Sequence, residues 1–164
     1  MILYERPVRF EEVDAAAIVF FARFAAYAHE AMEHFFDALA GGYAGLILER
    51  RVGLAAVHVA MSFLAPVRYG DRLLIETSTA RVGTRSAVLR YRMIRAADRT
   101  LSADLQHTVV TTDLRTLQSC SMPDDVRAQL LAHVDLEPTR SPTDPRPANS
   151  IAKAGEDPNA GIRE

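Results

Sequence analysis

Along residues 21–39 the apolar side chains recur at steps of three and four. Phe21, Phe24, Ala25, Ala28, Met32, Phe35 and Leu39 make one stripe, with Arg23, Glu30, Glu33 and Asp37 largely off it. The spacing predicts one long helix of roughly 20 residues, ~30 Å from end to end, and Gly41-Gly42 is the expected stop. Phenylalanines on such a stripe belong to a core. Further on the period changes to two: Val57, Val59, Met61 and Phe63 alternate with His58, Ala60, Ser62 and Leu64, and Pro66 with Tyr69-Gly70-Asp71 makes a turn. Residues 73–82, 86–95 and 101–112 read as three more strands, joined by links short enough for antiparallel neighbours. Residues 4–10 read as a first strand. Residues 123–133 read as a terminal helix opened by Ser121, Pro123, Asp124 and Asp125. The order predicts an α+β domain, with an antiparallel sheet of five to six strands laid against one helix.

Composition sets the limits of that domain. The chain has 164 residues, enough for one ordinary core. Five of its eight prolines fall at Pro138, Pro142, Pro145, Pro147 and Pro158, among charges of both signs and without apolar period. The folded unit is therefore expected at residues 1–136, with a flexible extension at 137–164. A formal net charge of −2 gives no field that would hold nucleic acid or an anionic membrane. The single Cys120 excludes an internal disulfide and a cysteine cage for zinc. No leader pattern opens the chain, and its longest stretch without acidic or basic residues, 52–67, is interrupted by Gly53, His58, Ser62 and Pro66. A cytoplasmic setting is expected.

The chemistry concentrates in residues 8–24, VRFEEVDAAAIVFFARF. Three acids, Glu11, Glu12 and Asp14, precede a turn of small residues that feeds the helix entrance. Free N–H groups at a helix start stabilise negative charge, whether on a carboxylate or on an oxyanion formed beside it. Asp14 is either a plain cap of the turn or helix or the reactive carboxylate of a site.

The run DAAAIVFF (14–21) resembles the D-P-A-G-I-V-aromatic-aromatic signature of the 4-hydroxybenzoyl-CoA thioesterase family, which has the hotdog fold. The likeness continues through residues 49–77 and 83–95 and covers about residues 5–120. It implies one central helix wrapped by the sheet, Asp14 as the catalytic carboxylate, and the Phe21 backbone N–H as donor to the thioester oxygen. The signature glycine is Ala17 here, which allows less φ freedom. Related Tol-Pal-associated thioesterases carry His where Phe21 stands, so carboxylate-only chemistry is implied. The resemblance also implies a homodimer at least, a tetramer in full, and a site shared between subunits.

Coenzyme A carries phosphates, for which arginine forks are suited. Within 19 residues Arg81, Arg85, Arg90, Arg92, Arg95 and Arg99 face one acid, Asp98. Arg85 is the first candidate for phosphate contact and Arg90 the second, against the alternative of solvated surface charge. His58 could border the acyl pocket, although a hydrogen-bonded strand histidine is the simpler reading. His29, His34 and His107 have no metal-ligand spacing, and Cys120 has no recognisable His partner. No metal or cofactor is implied. The sequence thus predicts hydrolysis of an aromatic, 4-hydroxybenzoyl-like, or medium-chain acyl-CoA. The alternatives are a non-catalytic acyl-CoA-binding or sensing module and, more distantly, a hydratase, which the lack of an Asp-His pair in the signature disfavours.

Overall fold

The computed structural model describes residues 1–135, and the extension expected at 137–164 lies outside the described residues. In chain order come β1 (Ile2–Pro7), a 3-10 turn (Phe10–Glu12), α1 (Arg23–Phe35), α2 (Gly42–Leu48), β2 (Val52–Phe63), β3 (Arg72–Val82), β4 (Ser86–Arg95), β5 (Leu101–Asp113), the two-residue β6 (Gln118–Ser119) and α3 (Asp124–Ala132). The strands form one antiparallel sheet in the order β1-β3-β4-β5-β2, with β6 paired to β5. Alternate residues of the central strands, Leu73, Ile75, Leu89, Tyr91, Met93, Ala103 and Leu105, are buried in one cluster with Phe24, Tyr27, Ala28, Ala31, Met32 and Phe35 of α1. Period two in the strands and period 3.6 in the helix therefore meet in one core, which is the α+β hotdog wrapping expected from the sequence.

Three boundaries differ from the sequence expectation. Helix α1 has 13 residues rather than about 20, although the apolar stripe runs on through the buried Phe36 and Leu39. Gly41 and Gly42, at φ +74° and +62°, are not a terminal stop but a corner into α2. The seven residues of α2 are too few to display a period. Strand β1 ends at Pro7, where the chain leaves the ladder and Phe10 enters the 3-10 turn.

The two edges of the sheet are unequal. Strand β1 offers six residues, whereas β2 leaves one side of twelve residues unpaired among the described residues, with Val57, Val59 and Phe63 exposed on it. A long apolar edge of this kind is a template for another strand. Among the described residues no helix is long and apolar enough to cross a membrane.

Candidate active site

The segment between β1 and α1 is a closed loop. Val13 and Val19 form an antiparallel bridge, the Asp14 N–H donates to Ile18 O at 2.9 Å, and the Ala17 N–H donates to Asp14 O at 2.9 Å. The Asp14 Oδ1 accepts the Ala16 N–H at 2.8 Å, which fixes the carboxylate, while Oδ2 has no partner among the described residues. Asp14 is exposed. It caps its own turn and not α1, whose N-cap Ala22 supplies no side-chain bond. The Arg23, Phe24 and Ala25 N–H groups donate to the Phe20, Phe21 and Ala22 carbonyls. The Phe21 and Ala22 N–H groups have no backbone partner among the described residues. One loop therefore carries a carboxylate oxygen and two open amides ahead of the positive end of a helix.

What holds the loop is a buried ionic knot that the sequence reading did not single out. Arg6 on β1 and Glu12 on the 3-10 turn are 3% and 6% exposed, and Arg6 Nη2 donates to Glu12 Oε1 at 2.7 Å. The Arg9 N–H donates to Glu12 Oε2 at 2.7 Å. The Arg6 guanidinium carbon lies 3.7 Å over the Tyr27 ring of α1, and its Nε reaches Glu30 Oε2 at 3.2 Å. Glu30 also accepts the Tyr4 hydroxyl at 3.1 Å. The Phe20 N–H donates to Glu12 O at 2.9 Å and the Val19 N–H to Val67 O at 2.8 Å, so the returning leg of the loop is tied to the same knot. Burial alone would raise the Glu12 carboxyl, but hydrogen bonds from the Arg9 amide and the Arg6 side chain outweigh it and hold the group below its ordinary value of 4.5. Burial and the adjacent Glu12 push the Tyr27 hydroxyl up.

The remaining site candidates separate. Arg85 is exposed at the β3–β4 hairpin, where its one side-chain hydrogen bond among the described residues is a long 3.4 Å approach to Ser119 Oγ, so its fork is open to an anion. Arg90 is corrected: it is 6% exposed and grips Asp104 with Nε at 3.1 Å and Nη2 at 2.7 Å, so its fork is already committed to a carboxylate. His58 is corrected too. It stands opposite Thr108, on the sheet face away from the buried Leu105 and Val109, and so away from α1.

Ala17 sits at φ +57°, where a side chain costs ~1–2 kcal/mol. Replacing it with Gly removes that strain and returns ~0.4–1 kcal/mol through the freer unfolded chain. Ala17→Gly is expected to stabilise the protein by about 0.5–1 kcal/mol in urea unfolding; lower stability would show that the methyl group is needed by its surroundings. Glu12 gives a second test. Its carboxyl is depressed in the folded state, so its contribution is complete above the unfolded value and disappears as pH falls through the folded one. The stability gap between the parent and Glu12→Gln should narrow as pH drops from about 5 towards 3. A gap that stays constant would mean that the carboxylate charge adds nothing.

The profile of the "Thioesterase-like superfamily" matches residues 8–130. The chain is 31% identical over 131 residues to a 1,4-dihydroxy-2-naphthoyl-CoA hydrolase of Picosynechococcus sp., covering 77% of this chain and 90% of that one. The solved structure of a 1,4-dihydroxy-2-naphthoyl-CoA thioesterase from Synechocystis aligns with a TM-score of 0.71 at 26% identity, over 79% of this chain and 94% of that one. A solved gentisyl-coenzyme A thioesterase aligns with a TM-score of 0.69 at 27% identity, over 77% and 99%. The named curated relatives are thus naphthoyl-CoA hydrolases, a related but different family from the 4-hydroxybenzoyl-CoA thioesterases that the signature resembled. From the Asp14 loop to α3, the chain belongs to the thioesterase-like superfamily.

Proposed function

We propose that this protein hydrolyses the thioester of an aromatic acyl-CoA, with Asp14 as its single reactive carboxylate. The observation that carries the reading is the segment between β1 and α1, whose hydrogen-bonded turn presents an unpaired Asp14 carboxylate oxygen and whose returning leg carries the open Phe21 and Ala22 amides. A thiol leaves as a thiolate with a pKa of ~8.5, so cleavage needs no strong general acid. The amides would take the charge that develops on the thioester oxygen. Asp14 would either attack the carbonyl carbon, giving a mixed anhydride that water resolves, or take a proton from a water that attacks directly. Both routes break the C–S bond and release coenzyme A and the free acid. The named relatives act on naphthoyl and gentisyl thioesters, which favours a hydroxylated aromatic group over an aliphatic one. A non-catalytic sensor was suggested by Ala17, but the backbone adopts the left-handed turn despite the methyl group, and that motive falls away.

The site is incomplete in one chain. Val8 and Val19 bind the 67–71 turn, which puts the Asp14 loop at the start of β3, whereas Arg85 follows the end of that strand. Eleven strand residues at ~3.3 Å each separate them by roughly 35 Å. A second copy paired antiparallel along the open β2 edge would bring its Arg85 end towards this chain's Phe63 end, where Phe24 and Phe63 pack 5.3 Å apart at the mouth of α1. The reading therefore requires a homodimer, with a tetramer as the full assembly implied by the resemblance, and Arg85 as the phosphate contact.

Asp14→Asn preserves shape and removes both nucleophile and base. It is expected to lower kcat at least about a hundredfold, with KM within a few-fold, when thiol release is followed on naphthoyl-CoA and gentisyl-CoA esters. Activity within tenfold of the parent would show that another group does the chemistry.

A further inference from the structure

Four side chains from α1, α2, β4 and β5 converge beneath the middle of α1, and the proposed chemistry uses none of them. The His29 and Tyr43 rings meet edge to face at 5.9 Å, and the Tyr91 and His107 rings lie 6.4 Å apart. Tyr91 is fully buried and its hydroxyl has no hydrogen-bond partner among the described residues; the same is true of the buried Nε2 of His107. Two orphaned polar groups in one cluster are costly, because a buried donor or acceptor forfeits its hydration with nothing in return. Burial, and then the nearby His29, push the His107 ring below its ordinary value, so it is neutral at pH 7 and one nitrogen can accept a hydrogen bond.

The cluster also lies at the end of an apolar path. The exposed flank of α1 carries Ala22, Ala25, Ala26 and His29, and the facing side of β2 carries Phe63, Met61 and Val59. Phe63 packs on Phe24 at the helix entrance, and Val59 is the cross-strand neighbour of His107. From Arg23 to His29 the helix rises ~9 Å, a span that suits a flat ring system held by its carbonyl at the helix start. His29 is 55% exposed and held by Glu33 at 3.1 Å and by the Tyr43 ring edge, so it can turn aside to admit a ring.

We propose that this cluster is the far wall of the acyl site, where the Tyr91 hydroxyl donates to, and His107 Nε2 accepts from, a ring hydroxyl directed away from the thioester. One hydroxyl satisfies both orphans at once. Tyr91 and His107 are then the residues that select hydroxylated over unsubstituted aromatic acyl groups. This inference rests on the thioesterase reading above and deepens it.

Two substrate pairs test it, each differing by one such hydroxyl: 1,4-dihydroxy-2-naphthoyl-CoA against 1-hydroxy-2-naphthoyl-CoA, and 4-hydroxybenzoyl-CoA against benzoyl-CoA. The parent enzyme is expected to prefer the hydroxylated member of at least one pair by about ten- to hundredfold in kcat/KM. Tyr91→Phe and His107→Leu should cut that preference to below about threefold, chiefly by loss on the hydroxylated ester. Tyr91→Phe should leave the Tm of the unliganded protein unchanged or raised, since it deletes an unsatisfied group. The proposal is overturned if neither pair is discriminated, if the variants lose both members equally, or if Tyr91→Phe lowers the Tm, which would mark the hydroxyl as part of the fold. Binding of the same esters to Asp14→Asn separates this inference from the one beneath it. Selective binding in the absence of any turnover by the parent would sink the hydrolase reading and leave the hydroxyl site standing; absence of both would sink the two together.

Discussion

A guanidinium and a carboxylate 2.7 Å apart inside the protein, Arg6 and Glu12, set the position of everything that follows them. Taking two charges out of water is expensive, and a pair of this kind adds little to stability compared with apolar side chains of the same size. Its consequence is geometric. Breaking it leaves a lone buried charge, at a cost of ~3–5 kcal/mol, so β1, the 3-10 turn and α1 are held in one arrangement. The Arg6 side chain lies on Tyr27 of α1, and Glu12 receives the Phe20 amide through its carbonyl. The loop between those anchors has little freedom left. Asp14 is fixed by its own turn, and the Phe21 and Ala22 amides just ahead of α1 stay open among the described residues.

The rest of the molecule suits a site that one chain begins and a second completes. Phe20 and Phe21 are exposed at the loop, and Val57, Val59 and Phe63 along the free edge of β2. These positions are costly to leave in water and, apart from the contact of Phe63 with Phe24, lie outside this chain's own core. We read them as the ground on which a second copy sits, with Arg85 brought towards the carboxylate from the opposite end of its sheet. Three of the neighbouring arginines are unavailable for that role: Arg90 is held by Asp104, Arg92 by Glu76 and Arg95 by Asp98.

Those arginines also show where the sequence becomes illegible. Strands β3, β4 and β5 were readable because each buries one face and is joined to the next by a short link, so alternation alone locates them. The Asp14 turn was readable because its small residues and acid stand together in the chain. The partners of Arg90 and Arg92 lie 14 and 16 residues away, on neighbouring strands, and no local window contains both halves of either pair. Arg6 and Glu12 have the same difficulty at shorter range: each reads as an ordinary surface charge until the loop between them is closed. Helix α1 was overestimated because Leu39 continues its stripe although the backbone has already turned. Tyr91 and His107 were legible as strand residues, but the lack of a partner for their polar atoms is a property of the packed interior alone.

The central claim is that a carboxylate loop locked within one chain works with an anion-binding arginine from another. Mixing two separately impaired chains tests it most directly. An Asp14→Asn chain and an Arg85→Ala chain, unfolded together and refolded as a mixture, would give mixed dimers in which one of the two sites combines an intact Asp14 with an intact Arg85. Random pairing then predicts recovery of about a quarter of the parent activity at low acyl-CoA concentration, well above either variant alone. Activity no greater than the average of the two separate variants would contradict the account and place the whole site within a single chain.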